Sequence, residues 1–318
     1  MPTLVRAFLP SVVALAVCAA DSAAQQPSGR DAASSPATSE KPGIERAEAW
    51  RIALSVRGEY AFSRELESSG ASVSVGRAGI GLDASGPMGD RARILMNADF
   101  EASFYRFGDT ALPLPSAGEP LRDAYTVRLR PGMSYRLDGE WSAVGGAIVE
   151  FSGEPGADAG DSITYGGYGG LSTRVGENLS LTFGVIVKTR LEDDAFVAPL
   201  LGVRWTIDER FSLQTEGLGL RLNARISDEF GASIFGRYEM RDFRLEDDAI
   251  IPGGIVQDTR VLIGAMLEWT PSARLKVTFS GGAVVAQKFH FLNRNGDEIA
   301  GDRTRAAPFV GLRAEWLF

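Results

Sequence analysis

Apolar residues recur at every second position through most of the chain after Trp50. In residues 92–102 the even positions are apolar and the odd positions are mostly polar or charged, and residues 179–188 and 260–269 alternate in the same way. A period of two places the two sets of side chains on opposite faces of a β-strand. No apolar run after Trp50 approaches the roughly 18 residues that a membrane helix needs. The pattern therefore predicts an all-β protein.

The alternating segments give about fourteen strands of membrane-crossing length. We expect these strands near residues 50–63, 72–84, 91–106, 124–137, 141–152, 162–175, 179–191, 196–207, 211–217, 218–227, 230–243, 259–270, 274–290 and 304–318. Tight turns at 138–140, 176–178, 208–210, 228–229 and 271–273 alternate with longer segments at 107–123, 153–161, 244–258 and 291–303. Short turns at one end and long loops at the other are typical of antiparallel up-and-down β-barrels that cross a membrane. A count of about twelve is the alternative, because 211–227 would also fit one irregular hairpin.

Aromatic residues mark both ends of the predicted strands. All five tryptophans, at positions 50, 141, 205, 269 and 316, stand on the apolar face beside a short turn or a chain terminus. Other aromatic residues stand near the opposite ends: Tyr60, Phe62, Phe104, Tyr125, Phe151, Tyr238 and Phe289. Aromatic side chains favour the two interfaces of a membrane, so two such girdles indicate a transmembrane barrel. A secreted soluble β-sandwich that binds a ligand is the alternative, but it would scatter or bury its tryptophans.

The last ten residues keep the alternation to the end of the chain. Their apolar set is Val310, Leu312, Ala314, Trp316 and Phe318. This ending resembles bacterial outer-membrane β-barrel proteins, whose final strand commonly ends in Phe and serves as a signal to the assembly machinery. The resemblance covers residues 50–318 and implies a transmembrane barrel in the outer membrane of a Gram-negative cell, with Trp316 and Phe318 as the assembly signal. It also implies outer-membrane lipids, lipopolysaccharide and the assembly machinery as partners. No named porin matches, so no functional residue is carried over.

The N-terminal part differs in composition from the rest. Residues 1–24 are expected to be a secretory signal peptide, with an early arginine, a short apolar stretch and small residues before the cleavage site. Lipidation of Cys18 is the alternative to simple cleavage after Ala24. Residues 25–46 are rich in Ser, Ala, Pro and Gln and predict a disordered leader. The barrel is then expected over residues 47–318.

The composition excludes several classes of function. Asp and Glu outnumber Lys and Arg by 41 to 33 and no basic run occurs, so nucleic acid is not an expected partner. One Cys and one His cannot supply an internal disulfide or a four-ligand zinc site, and we expect no metal and no cofactor. An outer-membrane hydrolase would need a Ser nucleophile with a His base. The only histidine, His290, has no hydroxyl residue two positions further along its strand, so we expect no enzyme and no catalytic residue.

The polar face of the strands predicts a charged lumen, in which basic residues outnumber acidic ones roughly two to one. The candidates for lining this lumen are Arg57, Arg93, Asp99, Glu101, Arg128, Arg204, Arg237, Arg260 and Arg313. The same alternation turns Lys288 inward. An open lumen would act as a passive channel for small solutes and favour anions, because basic rings select anions. A plugged structural barrel without transport is the alternative, in which Arg–carboxylate pairs stiffen the wall. The solute, the oligomeric state and any partner of the loops stay open.

One short sequence occurs twice. Residues 190–195 read Arg-Leu-Glu-Asp-Asp-Ala, and residues 244–249 repeat them. Each copy precedes a strand that ends in Trp-Thr, at 205–206 and 269–270. Both copies therefore stand at the same place in the alternation of turns and loops, which supports the predicted register. A duplicated hairpin and a coincidence within an alternating sequence are the two possible origins.

Overall fold

The computed structural model describes residues 50–108 and 119–318, apart from the side chains of residues 193 and 194. Within these residues no helix is long and apolar enough to cross a membrane. The strands that they form are β1 (Arg51–Glu65), β2 (Ser72–Met88), β3 (Ala92–Gly108), β4 (Asp123–Arg136), β5 (Trp141–Gly153), β6 (Ile163–Val175), β7 (Leu179–Arg190), β8 (Asp193–Thr206), β9 (Phe211–Thr215), β10 (Leu218–Arg225), β11 (Phe230–Arg244), β12 (Ile255–Ser272), β13 (Leu275–Leu292), β14 (Glu298–Thr304) and β15 (Ala307–Leu317). The predicted signal peptide and leader lie outside the described residues.

The strands form one closed antiparallel sheet. Strands β1 to β13 pair in chain order, and β15 closes the circle because it pairs with both β13 and β1. Both β14 and β15 pair with β13 and are separated only by Arg305 and Ala306, so they share one position in the wall. The fifteen strands thus occupy fourteen positions of an up-and-down barrel, which confirms the predicted fold. Residues 211–227 form two separate short strands, β9 and β10, so the alternative count is wrong.

Successive side chains alternate between the outside of the barrel and its interior. The outer face carries the apolar set, for example Val56, Ile80, Phe183, Val310 and Leu312, which are 41–53 % exposed. If such a side chain is left in water and not buried, the folded state loses about 1.5–3 kcal/mol of stabilising free energy. A closed barrel pairs its backbone groups within the wall, which is the condition for a surface that faces hydrocarbon. The outer surface therefore suits lipid and not water.

The tryptophans lie at one end of this apolar surface, as predicted. All five are 39–54 % exposed and stand beside short turns or the last residues of the barrel, an end that we call the Trp end. The opposite end is the loop end. Trp50 covers Gly86 of the neighbouring strand so closely that a Cβ at this glycine would overlap the indole ring. Near the loop end, Tyr60 and Phe62 are exposed and their rings pack edge to face at 5.2 Å.

A β-bulge in β13 corrects two of the predictions. The pairing of β13 with β12 skips Val285, which is therefore an extra residue in its strand. One extra residue shifts the alternation, so every later side chain of the strand changes face. Lys288 consequently leaves the inner face, and Phe289 is fully buried inside the barrel instead of standing in the outer girdle. Both predictions are wrong for this reason.

The segment 291–303 is a hairpin and not a long loop. Strand β13 continues to Leu292, and β14 returns along it from Glu298. The side-chain oxygen Oδ1 of Asn293 accepts the backbone N–H groups of Asn295 and Asp297 at 2.9 and 3.0 Å, which stabilises the tight connection. The wall therefore extends beyond the apolar surface at this position.

The wall is low between β8 and β11. Strands β9 and β10 have five and eight residues, whereas β8 and β11 have 14 and 15. Strand β9 pairs with β8 only at Arg204–Thr206, and β10 pairs with β11 only as far as Tyr238. Beyond the hairpin tip at 216–217, none of the described residues forms a strand between β8 and β11. Strand β11 leans inward there and pairs at Arg244 with Gly153 of β5.

Candidate channel interior

The inward lean of β11 divides the loop-end half of the interior into two compartments. The main compartment is enclosed by β11–β15 and β1–β5. The side compartment lies between the inner face of β5–β8 and the outer face of β11, where Met240 and Asp242 approach Glu150 and Lys188. Toward the Trp end the strand ladder is complete and encloses one lumen.

Apolar side chains close the main compartment at the loop end. This apolar plug consists of Leu66, Ala71, Val73, Val75, Tyr105, Leu121, Ala124, Phe243, Leu245, Ile251, Val256, Phe289 and Phe291. Several members belong to the connections between strands, so these connections fold into the barrel. The ring of Tyr105 lies 5.9 Å from that of Phe243 and 6.2 Å from that of Phe289, both edge to face. Burial of side chains of this size contributes about 1.5–3 kcal/mol each, which makes the plug a stable closure.

A layer of paired charges lies beneath the apolar plug. This charge layer consists of Arg57, Glu59, Arg77, Asp99, Glu101, Arg237, Glu239, Arg241, Asp258 and Arg260. Arginines and carboxylates are equal in number, so the layer is neutral as a whole. Buried Arg64 lies close to Arg77, Asp258 and Arg260 and adds one positive charge beside the layer. The predicted two-to-one excess of basic residues is therefore not found here.

Glu239 is the centre of the charge layer. Its carboxylate lies 2.6 Å from Arg237, 2.5 Å from Arg241, 2.7 Å from Arg260 and 3.3 Å from Arg77. These arginines belong to β11, β12 and β2, so one carboxylate joins distant parts of the wall. Removing one partner from such a buried group leaves uncompensated charges, which costs several kcal/mol.

Two further contacts carry the charge layer across the main compartment. Arg57 on β1 donates to both oxygens of Asp99, at 2.6 and 2.8 Å, and to Glu101 at 3.2 Å. Arg241 on β11 donates to Glu101 from the other side at 2.7 Å. Because β1, β3 and β11 are separate parts of the wall, these ion pairs span the compartment and hold its sides together.

Asp258 links the charge layer to the apolar plug. Its carboxylate accepts hydrogen bonds from Arg77 at 2.6 Å, from the Tyr105 hydroxyl at 2.7 Å and from the Gln287 amide at 2.5 Å. Arg77, Tyr105 and Asp258 are all buried. A buried carboxylate is stable when it is paired and hydrogen-bonded, and this one has three donors.

Toward the Trp end the inner wall is basic. Its described basic residues are Arg51, Arg93, Arg130, Arg136, Arg174, Arg204, Arg221, Arg225, Lys276 and Arg313. Its described acidic residues are Asp83, Glu216, Glu268 and Glu315. The basic excess that the alternation predicts therefore lies in this half of the lumen.

The low part of the wall leaves a gap in the strand pairing between β8 and β11, next to the side compartment, which we call the window. Its sides are residues 195–202 of β8 and 239–243 of β11, and its lower edge is the hairpin tip at 216–217. Two ion pairs form its upper edge. Arg190 lies 3.4 Å from Asp242, and Arg244 lies 2.7 Å from Glu192.

The side compartment is apolar near the lower edge of the window and polar above it. The apolar part consists of Ile148, Ile186 and Ala198, against which Tyr168, Phe196 and Leu218 pack. Above it a cavity of about 30 Å³ is lined by residues that include Glu150, Thr164, Lys188, Met240 and Asp242. Lys188 lies 2.9 Å from Glu150. A cavity of this size holds about one or two water molecules.

The nine residues predicted to line the lumen all stand on the inner face. Arg57, Asp99, Glu101, Arg237 and Arg260 belong to the charge layer, Arg128 pairs with Glu150, and Arg93, Arg204 and Arg313 stand on the wall toward the Trp end. Contact of these side chains with a permeating solute is untested and stays a prediction.

Five members of the charge layer are not among the nine candidates. Three of them, Glu59, Glu239 and Arg241, stand on the polar face that alternation turns inward. Sequence reasoning missed the other two, Arg77 and Asp258. Asp258 lies one residue before the strand expected over 259–270, whereas β12 begins at Ile255. The alternating pattern does indicate an inward Asp258, because this residue lies two positions before the inward Arg260 and three before the outward Val261. Treating 244–258 as a loop concealed it.

Glu154 joins two connections at the loop end, outside the strands. Its Oε2 accepts the backbone N–H of Glu246 at 3.0 Å, and its own N–H donates to the carbonyl of Arg244 at 2.9 Å. Burial raises the pKa of the Glu154 carboxyl, and the hydrogen bond from Glu246 partly offsets this. Because the pKa is raised on folding, burial of this carboxyl costs the folded state less free energy in acid than at neutral pH.

The single histidine is paired within the loop-end hairpin. Nδ1 of His290 lies 2.8 Å from Oε1 of Glu298. Among the residues that the structure describes, no group of three His, Cys, Asp or Glu side chains is placed to hold a metal ion.

Several solved structures resemble this barrel. The COG4313 outer membrane channel from Pseudomonas putida F1 is 11 % identical, with a TM-score of 0.45 over 88 % of this chain and 100 % of that one. A FadL homologue from Pseudomonas aeruginosa is 11 % identical, with a TM-score of 0.47 over 84 % and 90 %. The KdgM porin, solved in complex with disordered oligogalacturonate, is 9 % identical, with a TM-score of 0.33 over 83 % and 98 %. These are outer-membrane β-barrel channels. No family model and no curated protein matches the sequence.

Proposed function

We propose that this protein is a passive channel for small solutes in the outer membrane of a Gram-negative cell. The observation that carries the proposal is a closed barrel whose exposed outer face is apolar while its inner wall is charged. Such an inner wall suits water and ions, and such an outer wall suits lipid. The Trp end, with its short turns, then faces the periplasm, and the apolar plug faces the exterior. The channel is closed in this conformation, so conduction requires the apolar plug and charge layer to loosen.

An open state is expected to favour anions. The charge layer is neutral, so it does not choose between ions of opposite sign. The lumen toward the Trp end has the basic excess, for example Arg204, Lys276 and Arg313 against Glu268 and Glu315. Charges beside low-dielectric walls dominate the potential that an ion meets there. The proposed preference therefore depends on the periplasmic half of the lumen.

A plugged structural barrel without transport is the second candidate. The apolar plug and the charge layer favour it, because both fill the main compartment from wall to wall. In that case the Arg–carboxylate pairs hold the barrel rigid, and no conducting state exists.

Two measurements test these proposals. The protein should fractionate with the outer membrane, and its gel mobility should change on boiling, because detergent alone does not open a fully paired barrel. Recovery as a soluble monomer contradicts the membrane location. Purified, refolded protein should then give discrete conductance steps in a planar bilayer. A silent bilayer, despite mass-spectrometric recovery of the inserted protein, supports the plugged barrel instead.

A further inference from the structure

A β-bulge in β1 turns Arg64 into the barrel. The pairing of β1 with β2 passes from Ala61–Val75 to Arg64–Val73, so β1 has one extra residue at this point. Without the extra residue, the alternation of β1 would place residue 64 on the outer face. Bulges commonly re-aim a side chain in this way. Arg64 is 4 % exposed, so the bulge brings its guanidinium to the boundary between the charge layer and the apolar plug, of which Val73 and Val75 are members.

The guanidinium of Arg64 has a single weak contact. Its Nη1 donates to the backbone carbonyl of Phe62 at 3.3 Å. Its Nε and Nη2 are buried and have no hydrogen-bond partner among the residues that the structure describes. Burying such donors is unfavourable unless an acceptor meets them, and burying an unpaired charge is more so.

Two further arginines with unused N–H groups lie close to Arg64. They are Arg77 on β2 and Arg260 on β12, both buried. Within the described part of the chain, Nε of Arg77 and Nη1 of Arg260 also lack a hydrogen-bond partner. Three strands of the wall thus bring three buried guanidinium groups into one region, each with at least one N–H that lacks an acceptor. We call these residues the arginine cluster.

The carboxylates of this region are already used. Asp258 lies close to Arg64, but its oxygens accept hydrogen bonds from Arg77, Tyr105 and Gln287. The five carboxylates of the charge layer are offset by its five arginines, so Arg64 is a sixth positive charge beside them. The region therefore has an excess of one positive charge.

Asp302 on β14 is also buried but does not supply the missing charge. Its carboxylate accepts the backbone N–H groups of Ser68, Ser69 and Arg303 at 3.0, 3.2 and 2.7 Å, and the Ser69 hydroxyl at 3.0 Å. These donors hold it at the turn after β1. Among the contacts of the described residues, none joins Asp302 to Arg64.

From this charge balance we propose that the arginine cluster binds one small monovalent anion of the size of chloride. A guanidinium keeps its proton at neutral pH, so the cluster does not neutralise itself. Water would accept hydrogen bonds from the unused N–H groups but would not offset the charge, and a divalent anion would reverse its sign. The plug on one side and the charge layer on the other favour a small ion. The excess charge is the same in a conducting and in a plugged barrel, so the site is independent of transport.

Bromide locates the site directly. Crystals of the refolded wild-type protein are grown in sodium bromide, and anomalous diffraction is measured at the bromine absorption edge. We expect a peak in contact with Nη2 of Arg64, between the guanidinium groups of Arg77 and Arg260. Peaks confined to the surface of the barrel overturn the proposal.

Chloride dependence of stability tests the same site in solution. Urea unfolding of the wild type is followed by tryptophan fluorescence while chloride replaces gluconate at constant ionic strength. An ion that binds only the folded state stabilises it by mass action, so raising chloride from about 10 to about 300 mM should raise the ratio of folded to unfolded protein at least about threefold. Absence of this dependence overturns the proposal, and a bromide peak would then be an adventitious ion only.

A matched pair of variants assigns the effect to the arginine cluster. Arg64→Met removes the excess charge, so it should abolish the chloride dependence and be at least as stable as the wild type in gluconate. Arg303→Met removes an exposed arginine from β14 and should keep the dependence. Equal dependence in both variants would mean a general salt effect on ion pairs, which overturns the proposal. If Arg64→Met does not refold, as judged by gel mobility before boiling, Arg64→Gln gives the same comparison, and the bromide measurement needs no variant.

Discussion

Nη2 of Arg244 lies 2.7 Å from Oε1 of Glu192, and this ion pair joins the two copies of the repeated sequence. Arg244 begins one copy, and Glu192 is the third residue of the other. Arg190 begins the copy at 190–195. It pairs at 3.4 Å with Asp242, which lies two residues before the copy at 244–249. Each copy thus places its arginine against a carboxylate of the other hairpin. The repeat therefore closes the upper edge of the window.

Arg244→Gln should destabilise the barrel by about 2–4 kcal/mol, because it leaves buried acceptors without donors. Besides Glu192, the guanidinium donates to the backbone carbonyl of Gly253 at 2.9 Å and to that of Asp161 at 3.0 Å. Urea unfolding from vesicles, followed by tryptophan fluorescence, measures the loss. Arg294→Gln is the control, since Arg294 is exposed and its contacts with Asp161 and Asp247 are long, at 3.4 and 3.8 Å. If Arg244→Gln loses no more free energy of unfolding than Arg294→Gln, the contacts at the upper edge of the window do not contribute to the stability of the barrel.

The position of the repeat could be predicted from the sequence, but the contact between its copies could not. Alternation and turn spacing place both copies at the loop end of the wall. Arg244 and Glu192 nevertheless lie 52 residues apart in the chain. They meet only because β9 and β10 are short and β11 leans inward. The lengths of these strands depend on where the pairing between them stops. The period-two pattern continues through both the paired and the unpaired residues, so it does not show that point.

Glu239→Gln should lower the free energy of unfolding by about 3–5 kcal/mol, because it removes the charge that four arginines share, of which Arg77 and Arg260 are buried. Glu65→Gln is the matched control. Its partner Arg305 lies 2.6 Å away, but both side chains are exposed, and an exposed pair contributes about 0–1 kcal/mol. Unfolding in urea again gives both values. A loss below 1 kcal/mol for Glu239→Gln would contradict the central place of this carboxylate.

The inner face shows where alternation succeeds and where it fails. Alternation places Arg57, Asp99 and Glu101 inside the barrel, as the structure does. It fails at Phe289, because a single bulged residue reverses the faces and nothing in the local pattern marks the bulge. Alternation alone does not decide between an open and a plugged interior. Pairing between opposite walls depends on side-chain distances that a one-dimensional pattern does not contain.

Val185→Arg should destabilise the inserted barrel by about 2–4 kcal/mol, because it places a cation on the lipid face near the midplane. Thr182→Arg changes the inner face of the same strand, where Thr182 contacts Ser172 at 3.1 Å, and should have a mild effect. Equilibrium unfolding in vesicles of fixed composition gives the comparison. The opposite ranking would place Val185 in the lumen and reverse the register of β7.

Replacing Phe318 with Asp should reduce insertion into the outer membrane. Phe318 is exposed at the Trp end, and its N–H donates to the carbonyl of Ile52 at 2.9 Å. The resemblance makes this residue part of the assembly signal. Phe230→Asp changes an exposed phenylalanine beside a turn at the same end and is the control. Comparable outer-membrane levels of the two variants at low expression would remove Phe318 from the signal.

Reversing two charges in the lumen should weaken the expected anion preference. Arg204→Glu with Arg313→Glu changes the basic half of the lumen, outside the charge layer, so the layer is kept. Arg260 is unsuitable, because a carboxylate there would face Glu59 and Glu239. Arg210→Glu with Arg274→Glu makes the same change in charge on exposed turns and is the control. Reversal potentials across a salt gradient should shift toward cations in the first double variant and stay unchanged in the second. Cation selectivity of the wild-type protein would contradict the expected anion preference. Equal shifts of the reversal potential in both double variants would mean that the charges of the lumen wall do not determine selectivity.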